Sequence, residues 1–255
     1  MSLEKIVLME QLEQLRKRLM FAGGFWLACF FLLLAVSGRL FRLVSAPLQR
    51  ALPEGGELVF LSALEPVLTY LTLSATAALV VSLPMILWQL WQLLAPVLAP
   101  QQRGAGPLFV LVGYLAFLAG AWLGFCYVFP AIVKVLLDMG SSSGELDAML
   151  SMGDYLALAL KMMIAFGLVC ELPVVMVALA RWQVVDRRWF IAKRKYMIIV
   201  GFVFGAVITP GPDVFSQCSI AVPFVILYEV GILGAGLFGR GPTMAGSMPQ
   251  VERSL

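Results

Sequence analysis

Histidine is absent from the 255-residue chain, and charged residues make up only 13% of it. Without histidine there is no imidazole to relay protons or to bind a metal. A soluble domain has about 25% charged and roughly 45–50% apolar residues, whereas 61% of this chain is apolar. So few charges cannot cover so much apolar surface in water. The composition therefore excludes a cytoplasmic enzyme, a disordered chain and a nucleic-acid binder, and it indicates a polytopic membrane protein.

Cysteine is also scarce, and no C-x-x-C spacing occurs. The four cysteines are spread singly through apolar runs: Cys29, Cys126, Cys170 and Cys218. This pattern predicts neither a zinc site nor a disulfide framework. The chain also lacks a Walker loop, a G-x-S-x-G motif and an H-E-x-x-H motif. We therefore expect no enzymatic activity, no metal and no cofactor.

Long apolar runs, in contrast, are abundant. A helix needs about 20 apolar residues to cross a hydrocarbon core of about 30 Å. Six runs predict an all-α membrane domain over residues 19–238, with spans at about 19–37, 67–94, 107–129, 155–180, 196–209 and 218–238. An alternative end for the third span is Leu137. The fifth run would be only ~21 Å long as a helix, and Glu229 interrupts the sixth. These two runs either cross a locally thinned bilayer or form a hairpin that barely crosses it. A cleavable secretory signal is the alternative for the first run, but no small-x-small cleavage site closes it neatly.

The positions of lysine and arginine predict the orientation. If the N-terminus is inside, 13 of these residues fall in inner segments and 4 in outer segments, while Lys161 lies within a span. Because inner segments of membrane proteins are enriched in lysine and arginine, both termini are predicted to be cytoplasmic. Residues 239–255 are poor in apolar side chains, and we expect a disordered cytoplasmic tail there.

Residues 1–18 form an amphipathic stretch before the first span. Leu8, Leu12, Leu15 and Leu19 follow the spacing of one helical face. This predicts a helix that lies along the cytoplasmic membrane surface and bends into the first span. The alternative is a simple anchor whose basic residues only fix the orientation.

Prolines lie within or at the ends of four spans. Each frees the carbonyl four residues earlier and bends its helix, which is tolerated where neighbouring groups satisfy that carbonyl. They are Pro84, Pro130, Pro173 and Pro223. Curved helices can enclose a concave surface, and the alternative is a bend without functional meaning.

Two more residues are predicted to have structural roles. Pro47 belongs to the external loop at 38–66, whose prolines and glycines predict turns rather than continuous helix. Asp213 precedes Ser216 and Gln217 at the start of the last span. With no histidine or nearby lysine to act as a base, these polar residues predict a helix cap and not a catalytic triad.

Glu171 is the most informative charge within a span. It lies nine residues from the cytoplasmic end of the fourth run, ~13 Å deep. A carboxylate at that depth costs several kcal/mol unless it is neutral, hydrated or partnered. We therefore predict that Glu171 faces water or a partner, with a buried structural carboxyl as the alternative.

Several segments, spread over about residues 10–235, together match a known family pattern. They are Q-L-E-Q-L-R-K-R-L at 11–19, L-V-S-A-P-L at 43–48, L-P-M-I-L-W-Q-L-W at 83–91, A-P-V-L at 95–98, A-F-G-L-V-C-E-L-P at 165–173, I-T-P-G-P-D-V-F-S-Q at 208–217, A-V-P at 221–223 and Y-E-V-G at 228–231. With these segments the chain resembles the TatC family, the multi-spanning receptor subunit of the twin-arginine protein translocase.

The resemblance implies a cupped, glove-like helical bundle without enzymatic activity, in the bacterial inner membrane. It implies that the N-terminal helix and the loop between spans two and three recognise the twin arginines of export signals. The residues carried over to that role are Glu10, Gln14, Arg16, Gln102 and Arg103.

The resemblance also implies protein partners. Single-span TatA-like and TatB-like proteins are expected along the last two helices, with polar contacts from Thr209, Gln217 and Glu229. The complex is expected to contain several copies of the chain and to export folded proteins by means of the proton-motive force. Membrane lipid is a further expected partner.

The chain departs from the family pattern where recognition is expected. Gln11 and Gln14 stand where the family has histidine and glutamate, and Gln102 stands where an acid typically precedes arginine. A glutamine accepts a hydrogen bond but supplies no charge-assisted pair with a guanidinium. Glu10 lies one helical turn before Gln14 and is the acid best placed to compensate. Alternatively, Glu10 pairs only with Lys17 or a lipid headgroup.

The inserted Gly211 is a further departure, and it lengthens the turn before the last helix. Two other functions stay open on the sequence. One is a secondary transporter that couples protons through Glu171, and the other is a membrane scaffold without signal recognition.

Overall fold

The computed structural model describes residues 3–50, 58–59, 62–95, 104–141, 150–209 and 214–239. These residues are helical apart from short turns and one parallel pair of two-residue strands, β1 (Leu58–Val59) and β2 (Leu150–Ser151). The helices are α1 (Leu3–Ala35), α2 (Ser37–Arg50), α3 (Glu65–Leu94), α4 (Gly106–Leu123), α5 (Phe129–Ser141), α6 (Met152–Arg181), α7 (Arg187–Ile208) and α8 (Val214–Phe238). The predicted all-α class is confirmed.

The amphipathic stretch and the first span form one helix. α1 continues without interruption from Leu3 to Ala35. No break in the helix therefore separates the amphipathic stretch from the apolar span. α1 packs against α3, where the indole of Trp26 donates to the carbonyl of Ala75 at 3.3 Å. The position of residues 3–18 relative to a membrane surface stays a prediction.

The predicted external loop at 38–66 is helical over its first part. After one turn residue, Val36, the chain starts α2, and Phe41 of α2 stacks edge-on against Tyr70 of α3 with ring centroids 5.5 Å apart. Pro47 lies in α2. Apolar residues recur in α2 at three- and four-residue spacing between arginines, which is typical of a helix with one apolar side.

A π-helical turn at Gly124–Val128 joins α4 to α5. The helix of the third span is therefore continuous from Gly106 to Ser141, which agrees with the longer of the two predicted ends, Leu137, rather than with residue 129. π-turns occur mostly as single turns inside longer helices. Pro130 lies at the second position of α5, where its missing N–H does not end the helix.

α6 is the central helix of the bundle. Its side chains Leu156, Met162 and Phe166 are at most 1% exposed, and they pack with Leu73 of α3 and Ile220 of α8 in the largest apolar cluster. A helix buried on most of its circumference is apolar all round, which explains why this run was predicted without ambiguity.

Three prolines lie inside helices that continue past them. Pro84 is in α3, Pro173 in α6 and Pro223 in α8. Each helix therefore loses one backbone hydrogen bond within the apolar part of the bundle.

Five helices in the described residues are long and apolar enough to cross a membrane. α7 is not among them, because its first nine residues, 187–195, include five lysines and arginines. Its apolar part, from Tyr196 onward, is as short as predicted. The prediction of six crossings is neither met nor contradicted by this count, since a short helix can cross where a bilayer thins.

α7 and α8 form a hairpin tied by polar contacts. The hydroxyl of Tyr228 donates to the carbonyl of Phe190 at 2.8 Å, and the amide of Gln217 donates to the carbonyl of Phe202 at 2.9 Å. Gly205 lets the helices approach closely, because a Cβ there would lie 2.9 Å from the Gln217 carbonyl oxygen.

Candidate functional site

A polar cleft opens between α1 and α3 near the end of α3. Its volume is about 380 Å³. It is lined by Gln14, Lys17, Arg18 and Phe21 of α1 and by Gln89 and Gln92 of α3. The α1 residues follow i, i+3, i+4 and i+7 spacing, so they share one face of the helix. We call this the α1–α3 cleft.

One hydrogen bond crosses the cleft. The guanidinium of Arg18 donates through Nη1 to Oε1 of Gln92 at 2.5 Å. Lys17 instead pairs with Glu13 on the same helix, Nζ to Oε1 at 2.8 Å, and both side chains are mostly exposed. Among the described residues, the lining therefore combines three amides with two cations and contains no carboxylate.

The structure brings only part of the predicted recognition set into the cleft. Gln14 lines it, whereas Arg16 is exposed and lies about 200° around α1 from Gln14. Glu10 lies in α1 one turn before Gln14, and its side chain is outside the described part. Gln102 and Arg103 also fall outside the described residues.

Gln89 and Gln92 were missed by the sequence analysis. Both stand in the run W-Q-L-W-Q at the end of the second predicted span, three residues apart. Two amides on one face near the end of an apolar helix are a detectable signal for a polar contact with a neighbouring helix.

Glu171 lies deep between α3, α4 and α6. It is 8% exposed, and neither carboxyl oxygen has a hydrogen-bond partner in the described part of the chain. A Cβ at Gly113 of α4 would lie 3.0 Å from Oε2 and 3.1 Å from Cδ1 of Leu87. The carboxyl group therefore rests against the α4 backbone with an apolar neighbour from α3.

Three aromatic rings pack together toward the end of α3. Trp182, which follows α6, contacts Trp91 of α3 and Phe109 of α4 at centroid distances of 4.8 and 5.5 Å. Trp91 is four residues after Leu87, and Phe109 is four residues before Gly113. This cluster of rings joins α3, α4 and the end of α6, a feature that the sequence analysis missed.

At the opposite end, Glu65 joins α3 to α6. Its Oε1 accepts from the hydroxyl of Ser151 at 2.5 Å and from the backbone N–H of Gly153 at 2.6 Å. Its Oε2 accepts from the N–H of Ser62 at 3.3 Å. The carboxylate thus satisfies backbone donors at the start of two helices. Sequence reasoning missed it, although an acid at the first position of a span is a capping signal.

The three predicted docking residues make contacts within the chain. The hydroxyl of Thr209 donates to the carbonyl of Gly205 at 3.0 Å and is buried. Glu229 pairs with Arg194 of α7 at 2.6 Å, and Gln217 is bonded to α7 as described above. Gln217 and Glu229 are half-buried, so part of each side chain stays exposed. Asp213 lies outside the described residues.

Comparison with known proteins decides the family. The model of the family described as Sec-independent protein translocase protein (TatC) matches residues 10–223. The TatC protein of Magnetococcus marinus is 35% identical over 238 residues, which cover 93% of this chain and 85% of the relative. The chain belongs to the TatC family. The TatC protein of Aquifex aeolicus is 32% identical, and the match covers 88% of this chain and 92% of the relative. The TatC protein of Escherichia coli K12 is 30% identical, and the match covers 92% of this chain and 90% of the relative.

A solved TatC structure has the same fold. A crystal structure described as a twin arginine translocase receptor, TatC, superposes with a TM-score of 0.80 at 30% identity and covers 90% of this chain and all of its own. A second structure, of TatC in the detergent DDM, gives a TM-score of 0.78 and covers 88% of this chain and 98% of its own. The resemblance inferred from the sequence is therefore confirmed.

Membership in the TatC family makes this chain an integral membrane protein and a component of a protein translocase. This membership favours protein translocation over the alternative of a secondary transporter that couples protons through Glu171. Such a component is a transport subunit rather than an enzyme. Within the described residues, no group of three or more histidine, cysteine, aspartate or glutamate side chains could hold a metal ion.

Proposed function

We propose that this chain is the receptor subunit of a twin-arginine translocase, which binds export signals at the α1–α3 cleft. The observation that carries this proposal is the cleft itself, a polar site of about 380 Å³ at the level where apolar spans end. The likeness to a structure described as a twin arginine translocase receptor supports it. Further support comes from Gln14, which belongs to the family-like N-terminal segment and lines the cleft.

The cleft offers neutral acceptors to a guanidinium group. The amide oxygens of Gln14 and Gln89 can each accept one N–H, while Gln92 already accepts from Arg18. An amide cannot form the bidentate, charge-assisted pair that arginine makes with a carboxylate. Under this proposal, Glu10 supplies the missing negative charge, since it lies one turn (~5.4 Å) from Gln14 along α1.

We expect twin-arginine peptide binding to depend on this charge. Glu10→Gln should weaken binding at least threefold, and Gln14→Glu combined with Gln102→Glu should strengthen it at least threefold, because each change alters the charge available to guanidinium groups. A threefold change is about 0.65 kcal/mol. Fluorescence anisotropy of a labelled signal peptide with the purified full-length chain would measure it.

Glu13→Gln is the matched control for this experiment. Glu13 is exposed, pairs with Lys17 and lies about 100° around α1 from Gln14, so its replacement should leave the peptide affinity within twofold. Affinities unchanged in all variants would mean that arginine recognition does not use this surface. The chain would then fit the scaffold function, without signal recognition.

The same proposal includes the orientation and the setting of the chain. We infer that both termini face the cytoplasm of a bacterium and that the helices lie in its inner membrane, as the 13-to-4 distribution of cations indicates. The α1–α3 cleft then faces the side on which export substrates are made. Transport of folded proteins by the proton-motive force completes the proposal.

We further propose that TatB-like and TatA-like single-span proteins dock along α7 and α8, and that several copies of the chain assemble in one complex. A polar contact between helices in lipid contributes about 0.6–2 kcal/mol. Because Thr209 is buried against its own helix, the half-exposed Gln217 and Glu229 are the better placed of the three predicted contacts.

Photo-crosslinking tests this docking surface. A photoreactive residue at position 217 or 229 should capture a TatB-like or TatA-like helix in native membranes, and one at 209 should capture much less. Leu115 of α4, which is 55% exposed, is the matched lipid-facing control and should capture neither. Capture confined to positions in α1, α3 or α4 would contradict the proposal.

A further inference from the structure

An apolar groove lies beneath α2. Its volume is about 390 Å³, and it is bounded by α1, α2, α3, α6 and the π-turn. Leu40, Leu43 and Val44 form its α2 wall, at helical spacing that places them on one side of α2. Among the described residues of its lining, only Thr76 carries a hydroxyl. We call this the α2 groove.

The α2 groove is comparable in length to the hydrocarbon part of one leaflet. Along α3 it extends from Leu73 to Val81, which is ~12 Å. One leaflet contributes about half of a hydrocarbon core of about 30 Å. Apart from the Thr76 hydroxyl, the described lining offers no side-chain hydrogen-bonding group, so an occupant must be apolar over most of that length.

Basic residues are concentrated on the same short helix. Three of the four lysines and arginines in the predicted outer segments belong to α2, namely Arg39, Arg42 and Arg50. Such residues are sparse on the outer side of membrane proteins. Arg39 and Arg42 are exposed, and no carboxylate within the described residues pairs with either.

Arg39 stands at the mouth of the groove. It precedes Leu43 by four residues and therefore lies about 40° from it around α2. Leu43 lines the groove and is also 74% exposed, so the groove opens along this flank. Arg42 lies on the other side of Arg39, and its Nε donates to the carbonyl of Gly38 at 3.4 Å.

We propose that the α2 groove binds one acyl chain of an anionic phospholipid whose phosphate is held by Arg39. The apolar wall matches the chain, and a guanidinium forms charge-assisted, often bidentate hydrogen bonds with a phosphate. Basic pockets between membrane helices on the cytoplasmic side bind anionic headgroups, and Arg39 offers the same chemistry on the predicted outer side. The site is separate from the α1–α3 cleft and does not depend on signal recognition.

Native mass spectrometry of the full-length, delipidated protein tests the headgroup contact. Phosphatidylglycerol should bind at least fivefold more tightly than phosphatidylcholine, and glycerol 3-phosphate, which lacks acyl chains, should not bind. Arg39→Gln should reduce phosphatidylglycerol affinity at least fivefold. The matched control Lys134→Gln removes one exposed outer cation elsewhere and should change it less than twofold.

A second pair of variants tests the acyl-chain contact. Ala77→Leu fills the groove from α3 and should weaken both phospholipids, whereas Ala119→Leu on the exposed side of α4 should weaken neither. Equal binding of the two phospholipids with no effect of Arg39→Gln would overturn the proposal. The proposal would also be overturned if an apolar signal peptide displaced the lipid equally well with and without Arg39. That result would assign the groove to a peptide. Arg39 is exposed, so its variant reports on binding even where Ala77→Leu impairs folding.

Discussion

Replacing Gly120 by alanine is expected to lower the free energy of unfolding by about 1–3 kcal/mol, the usual cost of overpacking a close-packed contact. A Cβ at this position of α4 would lie 2.4 Å from the backbone oxygen of Phe166 and 2.6 Å from the Sγ of Cys170. Because the first of these atoms belongs to the α6 backbone, the clash is relieved only when the two helices separate.

Gly24→Ala in α1 is the matched control. No atom lies within 4 Å of a Cβ built there, and alanine is the better helix former by roughly 1 kcal/mol. Stability should therefore stay the same or rise. Reversible unfolding in mixed detergent micelles would compare the two variants, and an equal response to both would mean that α4 and α6 are not held at this distance.

The functional consequence of this packing concerns Glu171. Gly113 and Gly120 are two turns apart on α4 and both face α6, where Glu171 and Cys170 are adjacent. A separation of α4 from α6 at Gly120 would also change the surroundings of the carboxyl group. Small residues on a helix face allow this approach in membranes.

The spans could be predicted because the bilayer sets their length. The second and fourth spans, predicted at 67–94 and 155–180, differ by only a few residues from the helices Glu65–Leu94 and Met152–Arg181. Two helical segments were not predicted, α2 within the loop at 38–66 and the basic first part of α7 at 187–195, because both are helical without being apolar. A search for apolar runs does not detect such helices.

Contacts between distant residues could not be predicted from patterns. Glu65 meets Ser151, 86 residues away, and Arg18 meets Gln92, 74 residues away. Each pair depends on how whole helices pack, and apolar periodicity carries no information about which polar groups then face each other. Gln14 was identified from the sequence only because it lies in a family-like segment. Gln89 and Gln92 were identified only from the structure, where they line the α1–α3 cleft.

The pairing of Glu229 shows the same limit. As a single acid in the last span it was assigned to partner docking, and the structure pairs it with Arg194 at 2.6 Å. Glu171, in contrast, has no such cation in the described part of the chain. Two acids with similar sequence contexts therefore differ in the cost of burying them, because only one has its charge compensated.

This difference leads to the prediction for Glu171→Met, which should raise the free energy of unfolding by about 1–3 kcal/mol because it removes a buried, unpartnered polar group. Methionine is unbranched and adapts to the space that the carboxyl occupies against Gly113. Glu229→Met is the matched control and should not stabilise the chain, since it leaves the Arg194 guanidinium without its partner. Unfolding of both variants under the same detergent conditions would measure the contrast.

Export should respond in the opposite direction. Ionisable residues are retained within spans for function despite their cost, so Glu171→Met should reduce export of a twin-arginine reporter at least tenfold in cells that depend on this chain, although the variant is the more stable protein. Stabilisation with undiminished export would make Glu171 dispensable for translocation. A loss of stability instead would mean that the carboxyl has a partner outside the described residues, and it would contradict this prediction.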